Sequence, residues 1–394
     1  MKVLHVIPSL SPSQGGPSFA LPLMERALRG EGIEVAVATT DDDGPGARID
    51  VALGQPLSVN GATRYYFRKQ TEFYKYSFSL ARWLDDHVAG FDVVHVHALF
   101  SHASVAGARA ARRHGVPYVV RPLGVLNRYG MTRRRARLKR LSFRWLERPL
   151  LQGAALLHYT SQQERLEAEE LGEFAPGVVL PLGMDIEALQ GVLNVEPFLA
   201  RWPRAIEQQN VLYLSRLDPK KGLELLIDAF AKLKASGPKA LLAIAGAGEP
   251  EYVAELERRV ARQGLSSDVL WAGHLSGELK RAAFGVANAF VLPSKSENFG
   301  LAAVEALAVG IPTILTHGVG ISEAVGEAKA GLVVESSSDA IAEAILKILS
   351  DHDFAASLSA KARALARERY SLQAMGTGLR EMYERAMRVD VGAA

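Results

Sequence analysis

Ser294-Lys295-Ser296-Glu297-Asn298-Phe299-Gly300-Leu301-Ala302-Ala303-Val304-Glu305-Ala306-Leu307-Ala308-Val309-Gly310-Ile311-Pro312 follows the apolar run Ala287–Pro293. That run is short and bounded by turn residues, as a buried strand is. Apolar residues at 301, 304 and 308, with 303, 306 and 307 beside them, recur at helical spacing and predict a helix from near Phe299. Gly310 and Pro312 end it. Glu297 then lies in the loop feeding the helix. Glu305 lies two turns in, about 9 Å along the axis. Between the two acids fall the free N–H groups and the positive dipole end of the helix, which attract phosphate. A carboxylate on each side is placed to grip hydroxyls on two sugars flanking a diphosphate. Taken alone, two acids at this spacing are more often a plain buried corner, so the rest of the chain decides.

At 394 residues the chain exceeds one ordinary core, and two domains are expected. With 48% hydrophobic and 23% charged residues it has the composition of a globular α/β protein. The absence of cysteine excludes disulfides and thiolate metal sites and fits a reducing compartment. The first ten residues lack a signal-peptide pattern, and no apolar run approaches the length of a membrane span. The expected location is cytoplasmic. The net charge of +3 is unevenly spread: residues 1–160 carry 22 Lys and Arg against 12 Asp and Glu. A basic first half points to an anionic surface or substrate on that side.

Strand-like and helix-like segments alternate from Lys2–Ile7 onward, which implies parallel sheets with helices on both faces. The alternation pauses over 183–209, where Pro197 and Pro203 interrupt any period, and restarts at Asn210. The expected organisation is a first Rossmann-like domain over 1–182, a linker or hinge over 183–209, and a second Rossmann-like domain over 210–370. A last helix, 371–390, has no strand after it.

In open parallel sheets ligands bind beyond the carboxyl ends of the strands. Four loops fall at such ends. Pro8–Pro17 holds Gly15-Gly16 but lacks the GxGxxG spacing of a dinucleotide site. Ser215–Gly222 carries Arg216 and Lys221, a planar fork and a point charge suited to a diphosphate, or simply a solvated basic loop. Ala245-Gly246-Ala247-Gly248 offers a close approach to its backbone. The fourth is the stretch quoted first. His95, His97 and His102 cluster at one strand end, with no acid nearby in sequence; no metal is expected there. A hydrogen-bonding role toward a sugar suits His97, and His95 reads equally as a core residue.

Arg128–Arg148 carries nine basic residues and one acid, with Met131, Leu138, Leu141, Phe143, Trp145 and Leu146 interleaved. Two readings stand open: a segment lying on an anionic membrane surface, or a solvated helix packed by its apolar stripe. The excess is local and no nucleic-acid module accompanies it, so nucleic acid is not an expected partner.

Ser215-Arg216-Leu217 with Lys221-Gly222, then Gly246-Ala247-Gly248, Gly273-His274, and Pro293-Ser294 with Glu297-Asn298-Phe299-Gly300 and Glu305, resemble the retaining GT-B glycosyltransferases of family 4 (group 1). Gly15-Gly16, His95-Val96-His97 and Pro181-Leu182-Gly183-Met184-Asp185 are similar to that family's first domain and hinge. The resemblance implies an α/β GT-B fold, two doubly wound domains facing a central cleft, with helix 371–390 packed back on the first. It implies that Arg216 and Lys221 hold the diphosphate of a nucleotide sugar as leaving group, and that Glu305 holds the ribose. Glu297, with the N–H groups of Asn298, Phe299, Gly300 and Leu301, would hold the transferred sugar and diphosphate. Gly16 and Gly246 would approach the diphosphate, His274 would border the base, and His97 would lie near sugar or acceptor. The family uses no metal and no cofactor besides the donor. Two departures stand out: Leu123 occupies a position where relatives carry histidine, and Leu182 one where Asn is frequent.

The expected activity is retaining transfer from a UDP- or GDP-sugar to a glycan or lipid-linked acceptor in cell-envelope polysaccharide or glycolipid synthesis. The enzyme would sit in the cytoplasm or peripherally on the inner membrane face. A nucleotide-sugar epimerase or hydrolase, or a non-catalytic partner subunit, are the alternatives.

Overall fold

The computed structural model of the chain describes residues 1–12, 15–126 and 136–389, apart from the side chains of 136, 137, 235 and 236. Of the basic stretch Arg128–Arg148, the part before Ala136 lies outside the described residues. The chain divides into two compact units, Met1–Met184 with Leu372 onward, and Asp185–Ser371.

The first unit is built on eight strands: β1 (Lys2–Ser9), β2 (Glu34–Thr40), β3 (Pro56–Val59), β4 (Ala62–Phe67), β5 (Val93–His97), β6 (Tyr118–Arg121), β7 (Leu156–Tyr159) and β8 (Gly177–Val179). Their order is β3-β4-β2-β1-β5-β6-β7-β8. All neighbours are parallel except β3 and β4, which form a hairpin. Side chains alternate between the faces of the sheet. Leu4, Val6, Val94, Val96 and Val120 pack with the helices Phe78–His87 and His102–Arg113. Val3, Ile7, Val93 and Val119 pack with the helices Gly16–Gly30 and Leu372–Met387. These two helices meet closely: a Cβ on Gly376 would stand 2.7 Å from the Ala27 carbonyl oxygen.

That second face carries a polar layer inside the apolar one. His5, His95, His97, Arg121 and His158 are all buried there, with His5 paired to His95 and His97 to Arg121 across the strands. The hydrogen bonds fix the tautomers. His158 Nε2 donates to the Leu180 carbonyl (2.9 Å), leaving its Nδ1 to accept from His95 Nε2 (3.4 Å). His95 Nδ1 is then free to accept from the Tyr383 hydroxyl (2.8 Å), which ties helix Leu372–Met387 to β5. His5 Nδ1 and His97 Nε2 share a bond of 2.8 Å. This arrangement requires neutral imidazoles, and burial, reinforced by Arg121, pushes His5 and His158 down to about 3.

The second unit has six parallel strands: β9 (Gln209–Leu214), β10 (Ala240–Ala245), β11 (Val269–Gly273), β12 (Ala287–Leu292), β13 (Thr313–Thr316) and β14 (Leu332–Val334). Their order is β11-β10-β9-β12-β13-β14. Val211–Tyr213, Leu241–Ala245 and Ala289–Leu292 are buried without a break, as strands covered on both faces are. Segment 183–209, expected as linker, forms the short helices Ile186–Leu189 and Glu196–Arg201, and from Asp185 it belongs to this unit. Phe198 anchors it at 0% exposure, and helix Glu196–Arg201 packs on helix Gly277–Val286. Pieces of four and six residues are too short to display a period.

The neutral histidines make stability depend on acid. Their folded pKa values lie below the unfolded value near 6.5, so the unfolded chain binds more protons as pH falls. The melting temperature is expected to drop progressively from about pH 6.5 toward the folded values near 3, measured by circular dichroism at a series of pH values. Tyr383→Phe leaves His95 Nδ1 buried without a donor and is expected to cost about 1–3 kcal/mol.

Candidate active site

The chain leaves β9 toward β10 and β11 on one side, and returns at β12 to run to β13 and β14 on the other. The loops after β9 and β12 therefore emerge side by side at the point where the winding reverses, the place where open α/β sheets bind ligands.

The loop after β9 is a tight turn. Asp218 caps the one-turn helix Pro219–Lys221 by accepting from Lys220 N (3.0 Å), and Gly222 ends it at φ 69°. No other residue fits at 222: the φ is left-handed, and a Cβ would overlap the Pro293 carbonyl oxygen at the end of β12. Lys220 O in turn accepts from Lys295 N (2.8 Å). With the two loops joined this way, Lys221 Nζ pairs with Glu297 Oε2. Lys221 is buried, and that burial lowers its pKa below 10.5 despite the opposing charge of Glu297. Arg216, on the same loop, is exposed and has no ion-pair partner among the described residues.

Glu297 is held from its other side too. Its N–H donates to Gly318 O and its carbonyl accepts from Gly320 N, both at 2.8 Å, while Thr316 Oγ1 donates to Ser294 O (2.7 Å). The loop after β13 thus holds the backbone around Glu297, and the loop after β9 holds its carboxylate through Lys221. Past it, Phe299 is buried edge-on against Tyr370, with ring centroids 5.8 Å apart. Gly300 takes φ 96° as helix cap, so the helix starts at Leu301 and runs to Val309. Its start two residues later than the spacing predicts puts Glu305 one turn in, about 6 Å along the axis. Ala303 N and Val304 N donate to the Gly300 carbonyl (2.9 and 3.1 Å), which leaves the N–H groups of Leu301 and Ala302 as those without intrahelical acceptors. Glu305 pairs with Lys280 Nζ at 2.6 Å. Lys280 was not among the expected site residues; it lies 25 positions away on another helix, and no spacing in the sequence links the two.

Gly246 and Gly248 lie against the loop after β9. A Cβ on Gly246 would overlap Ser215 O, and one on Gly248 would overlap Leu217 O, while Leu217 N donates to Ala247 O (2.8 Å). These glycines let the loops after β9 and β10 lie against each other. His274 is exposed at the end of β11, two strands from β9. Gly16 and His97 belong to the first unit. Gly16 opens helix Gly16–Gly30 behind Gly15, which has φ 75°. His97 is 0% exposed and bonded to His5, so in this structure it faces the sheet interior. His5, His95 and His97 are close enough to bracket a cation. Both nitrogens of His95 are occupied, however, and the Arg121 guanidinium shares the layer, while His5 Nε2 and His97 Nδ1 have no hydrogen-bond partner among the described residues.

Residues 198–365 match the family of group 1 glycosyl transferases, and residues 15–183 match the glycosyl transferase 4-like domain. The chain belongs to the GT-B glycosyltransferases of group 1, family 4. Among its relatives, a GDP-mannose-dependent alpha-(1-6)-phosphatidylinositol monomannoside mannosyltransferase of Mycobacterium tuberculosis is 29% identical over 50% of this chain and 52% of its own. The chain thus spans about half the length of that relative. A GDP-mannose:cellobiosyl-diphosphopolyprenol alpha-mannosyltransferase of Xanthomonas oryzae pv. oryzae is 27% identical over 90% of this chain and 89% of its own. The solved structure of HepE from Anabaena, in complex with UDP and glucose, superposes with a TM-score of 0.76 at 21% identity over 98% of this chain and 99% of its own. That likeness shows the GT-B fold.

Gly222→Ala is expected to destabilise this glycosyltransferase by about 1–3 kcal/mol, since a strained φ and a steric overlap coincide. Urea unfolding checks it; a change within about 0.5 kcal/mol contradicts the close approach of the two loops.

Proposed function

We propose that this glycosyltransferase is a retaining, metal-independent enzyme. It moves a hexose from a UDP- or GDP-sugar to a glycan or lipid-linked acceptor in cell-envelope polysaccharide or glycolipid synthesis, in the cytoplasm or at the inner membrane face. The observation that carries the reading is the Lys221–Glu297 pair at the sheet's switch point, beside the start of helix Leu301–Val309. A diphosphate arriving there meets a buried ammonium, the exposed guanidinium of Arg216 and the N–H groups of the helix. Together they stabilise the charge that develops as the sugar bond breaks. Lys221 then turns from Glu297 to phosphate, and Glu297 is released to accept hydroxyls of the transferred sugar. Glu305 takes the ribose hydroxyls, with Lys280 neutralising it. Asn298, Phe299 and Gly300 contribute backbone to the phosphate side, His274 borders the base, and Gly16 supplies the first unit's backbone contact. His97 supports the strand end that bears Arg121. The mannosyltransferase relatives favour GDP-mannose among the donors to try first, and a lipid-borne acceptor such as those in their names.

A donor at 100 times its dissociation constant adds about 2.7 kcal/mol of stability, so a panel of nucleotide sugars screened by melting temperature identifies it. If neither UDP nor GDP binds by calorimetry, the reading fails. Donor cleavage that proceeds equally without acceptor favours a hydrolase instead.

Glu305→Ala is expected to weaken donor binding about tenfold or more, and Lys221→Ala to lower kcat by about a hundredfold, as loss of a charged transition-state donor does. Wild-type kinetics in both variants refute the site. Because burial already lowers the Lys221 pKa, donor affinity should decline with rising pH before the ordinary lysine value of 10.5 is reached. Titration calorimetry across alkaline pH tests this, and Lys221→Arg should shift the decline upward.

A further inference from the structure

Helix Ala136–Ser142, the wider turn Phe143–Glu147 and helix Arg148–Gln152 follow one another without a break in the first unit. Their inner side packs on the core through Leu150, Leu151, Phe143 and Leu146. The outer side is divided lengthwise. Leu138, Leu141 and Trp145 are 50%, 58% and 65% exposed, and Arg140, Arg144 and Arg148 stand exposed at four-residue spacing beside them. The one acid between 136 and 152 is Glu147, and it is buried, accepting from the Tyr74 hydroxyl and from Ser142 Oγ (2.8 Å). No carboxylate of this segment offsets the arginines on the outer side.

The same buried acid brings a second segment to this surface. Tyr74 and Lys75 both take left-handed conformations, φ 59° and 49°, an arrangement uncommon for such residues. The turn sends the Tyr74 hydroxyl inward to Glu147 and leaves Phe73, its ring 6.0 Å from that of Tyr74, 59% exposed. A single exposed apolar side chain needs no explanation. Here Leu138, Leu141 and Trp145 line one helical segment beside Arg140 and Arg144, with Arg144 stacked over the Trp145 ring at 5.4 Å, and Phe73 lies on a second segment joined to it through the buried Glu147.

We infer that this side of the first unit docks on an anionic phospholipid bilayer, with Phe73, Leu138, Leu141 and Trp145 entering the headgroup boundary and Arg140 and Arg144 meeting phosphates. The chemistry matches: apolar side chains with an aromatic at the interface, cations around them, and a surplus of positive charge over residues 1–160. The inference rests on the lipid-linked-acceptor reading for its role in catalysis, since it brings the enzyme to the membrane that carries such an acceptor. Phe73 extends the surface beyond the basic stretch visible in the sequence.

The test is sedimentation of the full chain with vesicles of phosphatidylcholine alone and of phosphatidylcholine mixed with phosphatidylglycerol. Binding to the mixed vesicles only, released by high salt, is expected. Arg140→Glu with Arg144→Glu, and separately Leu141→Ser with Trp145→Ser, should each weaken it about tenfold or more, with unchanged circular dichroism. Equal binding to both vesicles, no binding, or variants that bind like the wild type would overturn the inference. So would self-association in the absence of vesicles that the Leu141→Ser/Trp145→Ser variant abolishes, which would assign the surface to a second copy of the chain. Calorimetry with UDP and GDP on the same samples separates the two claims. Lost nucleotide binding with vesicle binding intact removes the donor site, and the reverse removes only the docking surface.

Discussion

A lysine and a glutamate 76 residues apart meet because β9 and β12 are neighbours whose onward connections run in opposite directions. In a parallel sheet every strand delivers its carboxyl end to one edge, and only where the winding reverses do two such ends lie together with no crossover between them. The Lys221–Glu297 pair depends on that topology, and much of the local sequence serves it. Gly222 lets one loop pass beneath Pro293, Gly246 and Gly248 let the β10 loop close on the β9 loop, and Gly318 admits the backbone of Ser294 and Lys295. These glycines share a steric role, each giving way to a carbonyl oxygen from a neighbouring loop. The site is rigid on its backbone before any ligand arrives, which is what a preorganised charge-stabilising site requires.

The first unit meets a similar problem with a different solution. Its sheet buries five polar side chains against the helices Gly16–Gly30 and Leu372–Met387, where unpaired groups are costly. A chain of neutral hydrogen bonds, from Tyr383 through His95 and His158 to Leu180, satisfies two of them without a second charge, while His5 Nε2, His97 Nδ1 and Arg121 Nε have no hydrogen-bond partner among the described residues. It also fastens the end of the polypeptide to a sheet formed from its beginning, a connection that apolar packing alone would specify less sharply. Arg121 bears the remaining cost: burial lowers its pKa to about 10, with Glu164 and Tyr383 only partly opposing.

Most of the architecture was legible because buried parallel strands are continuous apolar runs and the helices between them keep a period. β12, Ala287–Leu292, forms within the apolar run Ala287–Pro293 that reads as a buried strand. Failures occurred where the deciding contact is distant. The helices over 186–201 are too short to show a pattern and hold their shape through Phe198 and packing on helix Gly277–Val286. Helix Ser322–Glu327, six residues with a single fully hidden valine, left no signal either. Within the site, Glu297, Glu305, Arg216 and Lys221 could be picked out as charged residues at strand ends. Lys280 could not, since a lysine on an amphipathic helix looks solvated until Glu305 is found against it. Gly246 is visible as a special residue, and the structure adds that the Ser215 carbonyl oxygen lies where its Cβ would be. His97 was read from its place at a strand end, whereas the side of the strand it occupies turns it inward.

The pairing of acid with amine explains how an ammonium persists at the buried end of the loop after β9. A lysine with 3% of its surface exposed is driven toward the neutral amine by desolvation, and a neutral amine has no use for a diphosphate. Two opposite charges about 4 Å apart attract by about 4 kcal/mol even at an effective dielectric constant of 20, so a neighbouring carboxylate is a substantial counterweight. Glu297 supplies it, and the loop after β13 holds the backbone around it. On the proposed function, the carboxylate that preserves the ammonium is also the group whose lone pairs would meet the sugar hydroxyls. A second acid near the start of helix Leu301–Val309, Glu305, meets Lys280 Nζ at 2.6 Å. Both ion pairs, Lys221 with Glu297 and Lys280 with Glu305, lie around the start of a single helix.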